Sequence, residues 1–228
     1  MKPRKDDRTR VALLVPSSNT VMENDFHKCL PSDKYTVHTD RMYLVETTRD
    51  AELKMIREFA KPAASDLGTV IPDVFVFGCT SAGSLFGLEY DLQICRELGE
   101  LAGCPALGVI NAVSATLDSL PVSRVAVLTP YVEDLTQSVA RAIQKPGRSV
   151  VAAFGMGITV NAELADPTPD DIVDFARSRL KGVNFDALFV SCTNFRALEA
   201  KDELQSTFSV PVITSNSAII SDIRRRYG

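Results

Sequence analysis

The chain has 228 residues, 45% hydrophobic and 24% charged, with 25 Lys and Arg against 29 Asp and Glu and a formal net charge of −4. That is a globular composition, long enough for one large or two small domains, and it lacks the basic field of a nucleic-acid-binding surface. Apolar stretches such as 70–83 are broken by Pro, Asp, Gly and Thr and fall short of the ~20 residues that span a bilayer.

No membrane segment is expected. The charged first ten residues precede an apolar run of only 11–15, too short for a secretion leader. They read as a solvated, mobile arm of a cytoplasmic protein. Arg10-Val-Ala-Leu-Leu-Val-Pro16 then reads as a buried parallel strand over 10–15. A strand over 35–44 follows, and then a helix from Thr48 with apolar residues at 51, 55, 56, 59 and 60 on one face. Pro62 should kink or interrupt it. Strands are predicted at 73–78, 105–110, 124–129, 149–154, 186–191 and 210–214. Thr168-Pro-Asp-Asp171 carries an N-cap, a first-turn Pro and acids, and opens a helix to about Lys181. Arg224–Arg226 close the last helix, where cations favour the negative end of the dipole. Strands alternating with helices imply parallel sheets with right-handed crossovers.

The segments recur. Arg10-Val-Ala-Leu-Leu-Val-Pro16 matches Arg124-Val-Ala-Val-Leu-Thr-Pro130, an offset of 124 − 10 = 114. Asp73-Val-Phe-Val-Phe-Gly-Cys79-Thr80 matches Asp186-Ala-Leu-Phe-Val-Ser-Cys192-Thr193, an offset of 192 − 79 = 113. A third pair, Cys104–Asn111 and Val210–Asn216, lies 211 − 105 = 106 apart. The chain therefore reads as a duplicated α/β unit, 1–120 and 121–214, divided at the Pro121–Ser123 turn.

The cysteines stand at 29, 79, 95, 104 and 192, an odd number in a chain too large to need staples, and read as free thiols. No pair has zinc-site spacing and His27 and His38 sit in no ligand pattern, so no metal is expected and both histidines read as surface or packing residues. Cys29, Cys95 and Cys104 read as packing. Cys79 and Cys192 differ, because both follow a predicted strand, where ligands bind in open parallel sheets. Thr80 and Ser81, like Thr193 and Asn194, read as starts of helices whose N–H groups and positive ends would face a ligand and lower the thiol pKa toward neutrality. Two symmetric thiols facing one pocket follow. Asn19, Tyr131 and Asn161, after other strands, can donate hydrogen bonds to carboxylates without adding charge. Each has a plainer reading: Ser17 and Ser18 as helix caps, Asn161 as a turn residue, Tyr131 as packing. The Gly-x-Gly at 155–157 is too short to imply a nucleotide.

Pro16-Ser-Ser-Asn-Thr20 with Glu23, Gly78-Cys-Thr-Ser81, Tyr131, Asn161 and Ser191-Cys-Thr-Asn194, in this order over nearly the whole chain, resemble the maleate cis–trans isomerases of the Asp/Glu racemase superfamily. The related arylmalonate decarboxylases have a single catalytic Cys, matching Cys192, and Gly where Cys79 stands. The resemblance implies two pseudo-symmetric racemase-like units, each a mainly parallel four-stranded sheet flanked by helices, with the active site between them. It also implies a final helix, about 215–228, crossing back onto the first unit, and a homodimer. Its chemistry needs no cofactor. Cys79 would add to an olefinic carbon of a small cis-dicarboxylate, Cys192 would act as acid and base, and Asn19, Thr80, Ser81, Tyr131, Asn161, Thr193 and Asn194 would hold the carboxylates. A two-thiol amino-acid or hydantoin racemase, a decarboxylase-like enzyme, and a dicarboxylate-binding protein with packed thiols remain as alternatives.

Overall fold

A computed structural model describes residues 6–228. The first five residues of the expected arm lie outside that range. Its end is not an arm: Thr9 and Arg10 already belong to the first strand, and Arg8 is tied to Asp6 and to the Ser32 carbonyl.

The apolar run of the first motif forms β1 (Thr9–Pro16), whose residues Val11–Val15 are wholly buried on both faces, as a central parallel strand requires. With β2 (Tyr35–Met42), β3 (Val74–Phe77) and β4 (Ala106–Gly108) it builds a parallel sheet of order β2-β1-β3-β4. The second half repeats the order. There β5 (Arg124–Thr129), β6 (Ser149–Gly155), β7 (Ala187–Val190) and β8 (Val212–Thr214) run β6-β5-β7-β8, again parallel throughout.

Part of the repeated sequence is structural. Asp73 accepts the Arg10 backbone N–H at 2.8 Å and Asp186 accepts that of Arg124 at 2.9 Å, so each aspartate locks the entry of a central strand pair. The opposite end of the same repeat holds the thiols.

Several boundaries differ from expectation. The strands predicted at 35–44, 73–78, 186–191 and 210–214 are shorter, and the one at 105–110 stops at Gly108 because Val109 begins α6 (Val109–Asp118). Gly108 is required there: a Cβ would lie 1.9 Å from a carboxylate oxygen of the buried Asp91. Pro62 does not interrupt its helix. The rod continues from α2 (Arg49–Lys54) through a π-turn segment (Met55–Ala60) into α3 (Lys61–Gly68), and the widened turns just before Pro62 absorb its missing N–H and ring bulk.

The other helices are α1 (Met22–Cys29), α4 (Thr80–Ser84), α5 (Leu88–Ala102), α7 (Glu133–Ile143), α8 (Pro169–Arg179), α9 (Ala197–Phe208) and α10 (Ser215–Tyr227). Thr168 and Asp171 form the expected capping box of α8. The last helix, α10, leaves its own sheet and packs on α1 and α6 of the first half. Val11, Leu13 and Val15 from one face of the first sheet join Val125, Val127 and Leu188 in one apolar core, so the halves are not separately packed bodies. The other face, with Leu14, Phe75 and Phe77, packs against Met42, Met55 and Leu98. Among the described residues no helix is long and apolar enough to cross a membrane.

Candidate active site

In each sheet the chain leaves the first strand in opposite directions, to β2 and β3 or to β6 and β7. That is the switch point at which parallel sheets open a crevice at their carboxyl edge. Cys79 follows β3 after Gly78, and Cys192 follows β7 after Ser191. The predicted residues are all there and all covered: Asn19, Cys79, Thr80, Ser81, Tyr131, Asn161, Cys192, Thr193 and Asn194 are each exposed by 4% or less.

The two thiols are not conformational copies. Cys79 is extended, with φ of −139°, and leads directly into the single short helix α4. Cys192 has φ of +102°, a region that side-chain-bearing residues avoid. It is held there by a 3.1 Å bond from its N–H to the Ser215 hydroxyl, and its sulfur accepts the Asn194 N–H at 3.2 Å. Thr193 and Asn194 lie in a turn, not at a helix start, since α9 begins only at Ala197.

Hydrogen bonds stitch the halves together around the thiols. Asn19 uses its side-chain oxygen on the N–H groups of Val21 and Met22, which directs its amide to the Thr193 hydroxyl at 3.1 Å. Thr193 in turn donates to the Gly78 carbonyl at 3.0 Å, and Thr80 donates to Ser215 at 2.9 Å. Asn161 donates to Ser18 at 2.6 Å and accepts from Thr47 at 3.0 Å. Ser17 and Ser18 cap no helix; both hydroxyls hold Leu44, beyond the end of β2. Asn194 spans two segments, accepting the Thr20 N–H at 2.9 Å and donating to the Asn161 carbonyl at 2.7 Å. Asn194→Ala leaves these buried groups unpaired and is expected to lower stability by about 1–3 kcal/mol, read from the urea midpoint.

The electrostatics reverse one expectation. Neither thiol is brought toward neutrality. Burial pushes Cys79 well above its ordinary value and Cys192 up to about 12, outweighing the hydrogen bonds that favour their thiolates. Tyr131 neighbours the Cys192 thiol as a hydrogen-bonding partner and is itself held protonated by burial. Of the cysteines read as packing, Cys95 is buried and Cys29 and Cys104 are partly covered. His27 is exposed on α1 and His38 pairs with Thr36 on β2. Among the described residues no cluster of three or more His, Cys, Asp or Glu could hold a metal ion.

Sequence reasoning missed Glu52, Thr47 and Ser215. Glu52 is wholly buried, accepts the Ser81 hydroxyl and has its carboxyl pushed up to about 8 by desolvation. A signal existed: Glu52 lies in the same stripe as Met55, Ile56 and Phe59 at helical spacing, a carboxyl on an otherwise apolar face. Its pKa is raised from 4.5 to about 8, so the stability it contributes is fully present below about 4.5 and lost as pH climbs through about 8. Calorimetric melting across that window is expected to show a smaller decline for Glu52→Gln than for the wild type.

Two parallel sheets of identical order, with a buried thiol beyond an interior strand of each, define a duplicated α/β fold with paired thiols at its crevice. More specifically, the family model described as arylmalonate decarboxylase matches residues 11–228, and the chain belongs to that family. A maleate isomerase of Geobacillus stearothermophilus is 27% identical over 227 residues, covering 94% of this chain and 90% of its own. The arylmalonate decarboxylase of Bordetella bronchiseptica is 26% identical over 150 residues, covering 65% of this chain and 62% of its own. In structure, the maleate isomerase Iso of Pseudomonas putida S16 superimposes with a TM-score of 0.88 at 24% identity, over 96% of this chain and 92% of that one.

Proposed function

We propose that the protein is an isomerase that converts maleate, or a closely related cis-dicarboxylate, to the trans isomer without a metal or organic cofactor. The observation that carries this reading is the pair of buried thiols, Cys79 and Cys192, brought together from opposite halves beside the Tyr131 hydroxyl. A decarboxylase of the single-cysteine pattern has no need of Cys79. Related structures support the chemistry: a cysteine-to-serine mutant of the Nocardia farcinica maleate cis–trans isomerase carries a covalently bound succinylcysteine intermediate, and a Pseudomonas putida S16 variant was solved with maleate.

The Cys79 sulfur adds to one olefinic carbon, and the π pair moves to the neighbouring carbon as an enediolate. The former double bond is now single and rotates. Cys192 gives a proton to that carbon and takes it back, and expulsion of the Cys79 sulfur regenerates the alkene as the trans isomer. Asn19, Tyr131, Asn161 and the N–H groups around Thr80, Ser81, Thr193 and Asn194 hold the two carboxylates. In a protein of net charge −4 these local donors, not the global field, must attract a dianion. Because the thiols are covered, entry requires the segments over them to move.

Proton NMR of the vinyl region decides the matter. Loss of the maleate signal and growth of the fumarate signal are expected with no added cofactor; unchanged maleate with folded protein overturns the reading. Solvent deuterium appearing at Cα of an amino acid or hydantoin would instead indicate the racemase. The same reading assigns 1–120 with 215–228 to one unit, 121–214 to the other, and a cytoplasmic homodimer. Tyr43 and Phe86, each 61% exposed, supply apolar surface for a second copy to cover, and light scattering measures the mass.

A further inference from the structure

We propose that Glu52 is the base that activates Cys79, drawing off its proton through the Ser81 hydroxyl. The inference rests on Cys79 being the attacking thiol, as set out above. It answers a difficulty which that reading leaves open: a buried thiol far above its ordinary pKa is a poor nucleophile, and no cation is found among the groups that act on it. Among the described residues the charges felt at Cys79 are those of Glu52 and Cys192, both negative when ionised, and with the Ser81 proton committed to Glu52 the bond left to favour its thiolate is that from the Ala82 N–H. A thiol so placed needs a base rather than a counter-ion.

The geometry supplies one. The Cys79 sulfur lies 3.8 Å from the Ser81 hydroxyl oxygen, within hydrogen-bonding reach for sulfur. Ser81 donates its own proton to one oxygen of Glu52, so its lone pairs are left to accept from the thiol. The two bonds run in one direction, from sulfur to carboxylate. The second Glu52 oxygen is buried and has no partner among the described residues. For stability alone such an acid is a poor choice, because a side chain of the same shape without the charge would avoid its desolvation. Glu52 is also the group at this site that titrates close to neutrality.

Several groups face Glu52 and set that value. Arg49 on its own helix favours ionisation, and Asp134 on α7 opposes it. Tyr90 on α5, Cys79 beside α4, and Tyr131 and Cys192 from the second half also feel the Glu52 charge.

The transfer balances. The thiol proton moves to Ser81 as the Ser81 proton moves to Glu52, and the freed sulfur pair forms the S–C bond. On elimination the pair returns to sulfur and the proton retraces the path. The relay converts one anion into another, so a dianionic substrate meets no added negative charge when the nucleophile forms.

Alkylation of Cys79 by iodoacetamide, followed by mass spectrometry of its peptide across pH, reads this step without any substrate. In the wild type the rate is expected to rise with pH and level off near 8, where Glu52 is ionised. Glu52→Gln should be at least about tenfold slower at the plateau and show no levelling, and Glu52→Asp should recover part of the rate. Ser81→Ala should match Glu52→Gln, and the double variant should lose no more than either single one, as expected for members of one chain. A Cys79 profile unchanged by both single variants, or losses that multiply in the double variant, overturns the proposal. If circular dichroism shows that Glu52→Gln does not fold, Ser81→Ala, which keeps the carboxyl, decides alone. Failure to turn over maleate with these alkylation profiles intact would overturn the substrate assignment and leave the relay standing.

Discussion

Cys79→Ala and Cys192→Ala are each expected to reduce maleate turnover by about 10⁴-fold or more while leaving the fold intact. Neither thiol has a substitute. The hydroxyl that bonds the Cys79 sulfur, that of Ser81, is engaged with Glu52, and an alcohol at that position is far less nucleophilic than a thiol. Tyr131, beside Cys192, is held protonated by burial and cannot serve as the base that restores the alkene. The two variants should fail differently. Cys192→Ala keeps the nucleophile, and an enediolate that takes its proton from water in place of Cys192 is left as a succinyl adduct on Cys79 with no base to reverse it, visible in the intact mass, whereas Cys79→Ala should show none. Each substitution removes one sulfur atom from a covered site, so circular dichroism should match the wild type, while Cys192→Ala, which also strips the Asn194 N–H of its acceptor, should melt somewhat lower. Appreciable turnover by Cys79→Ala would end the nucleophile assignment.

Gly155→Ala is expected to damage the site from behind. Gly155 ends β6, and a Cβ there would lie 2.2 Å from the Tyr131 carbonyl oxygen and 2.5 Å from the Thr136 hydroxyl. That hydroxyl is already bonded to Thr129 at 2.7 Å, and the Tyr131 carbonyl also receives the Gly157 N–H at 3.0 Å. The added carbon must push backbone against backbone, which overpacking data put at about 1–3 kcal/mol. It also displaces Tyr131 from Cys192, and a shift of about 1 Å in a positioned group costs about 10²-fold in rate. Gly147→Ala is the control. Its φ of +82° makes a side chain strained, but nothing lies within 4 Å of the added carbon, so urea unfolding should show lost stability with kcat unchanged. Equal kcat losses in both variants would separate the rate effect from Tyr131.

Much of this was legible in the residues themselves. Apolar runs such as 11–15 and 74–77 specify buried parallel strands because only a strand covered on both faces accepts so unbroken a run. The two Asp-x5-Cys-Thr stretches specify where the thiols stand, because an aspartate locking the strand entry and a cysteine at its exit are fixed by distance along one strand. Local chemistry misled in one respect. The small polar residues after each cysteine suggested helix ends that would acidify the thiols, yet α4 is a single short helix, the segment after Cys192 is a turn, and burial raises both pKa values. Desolvation comes from side chains far away in sequence, so no local pattern contains it.

By itself, then, the sequence determined the duplicated parallel architecture and picked Cys79 and Cys192 out of the five cysteines, since strand burial and repeat spacing are local properties. Only the tertiary structure decided what surrounds them. It brought Ser215 from α10 to both Thr80 and the Cys192 N–H, and joined Asn161 to Ser18 and Thr47. It also laid the α2 carboxyl of Glu52 beneath Ser81. Those contacts arise where two sheets and a crossing helix meet, and whether a thiol or a carboxyl there is charged depends on how completely the fold excludes water.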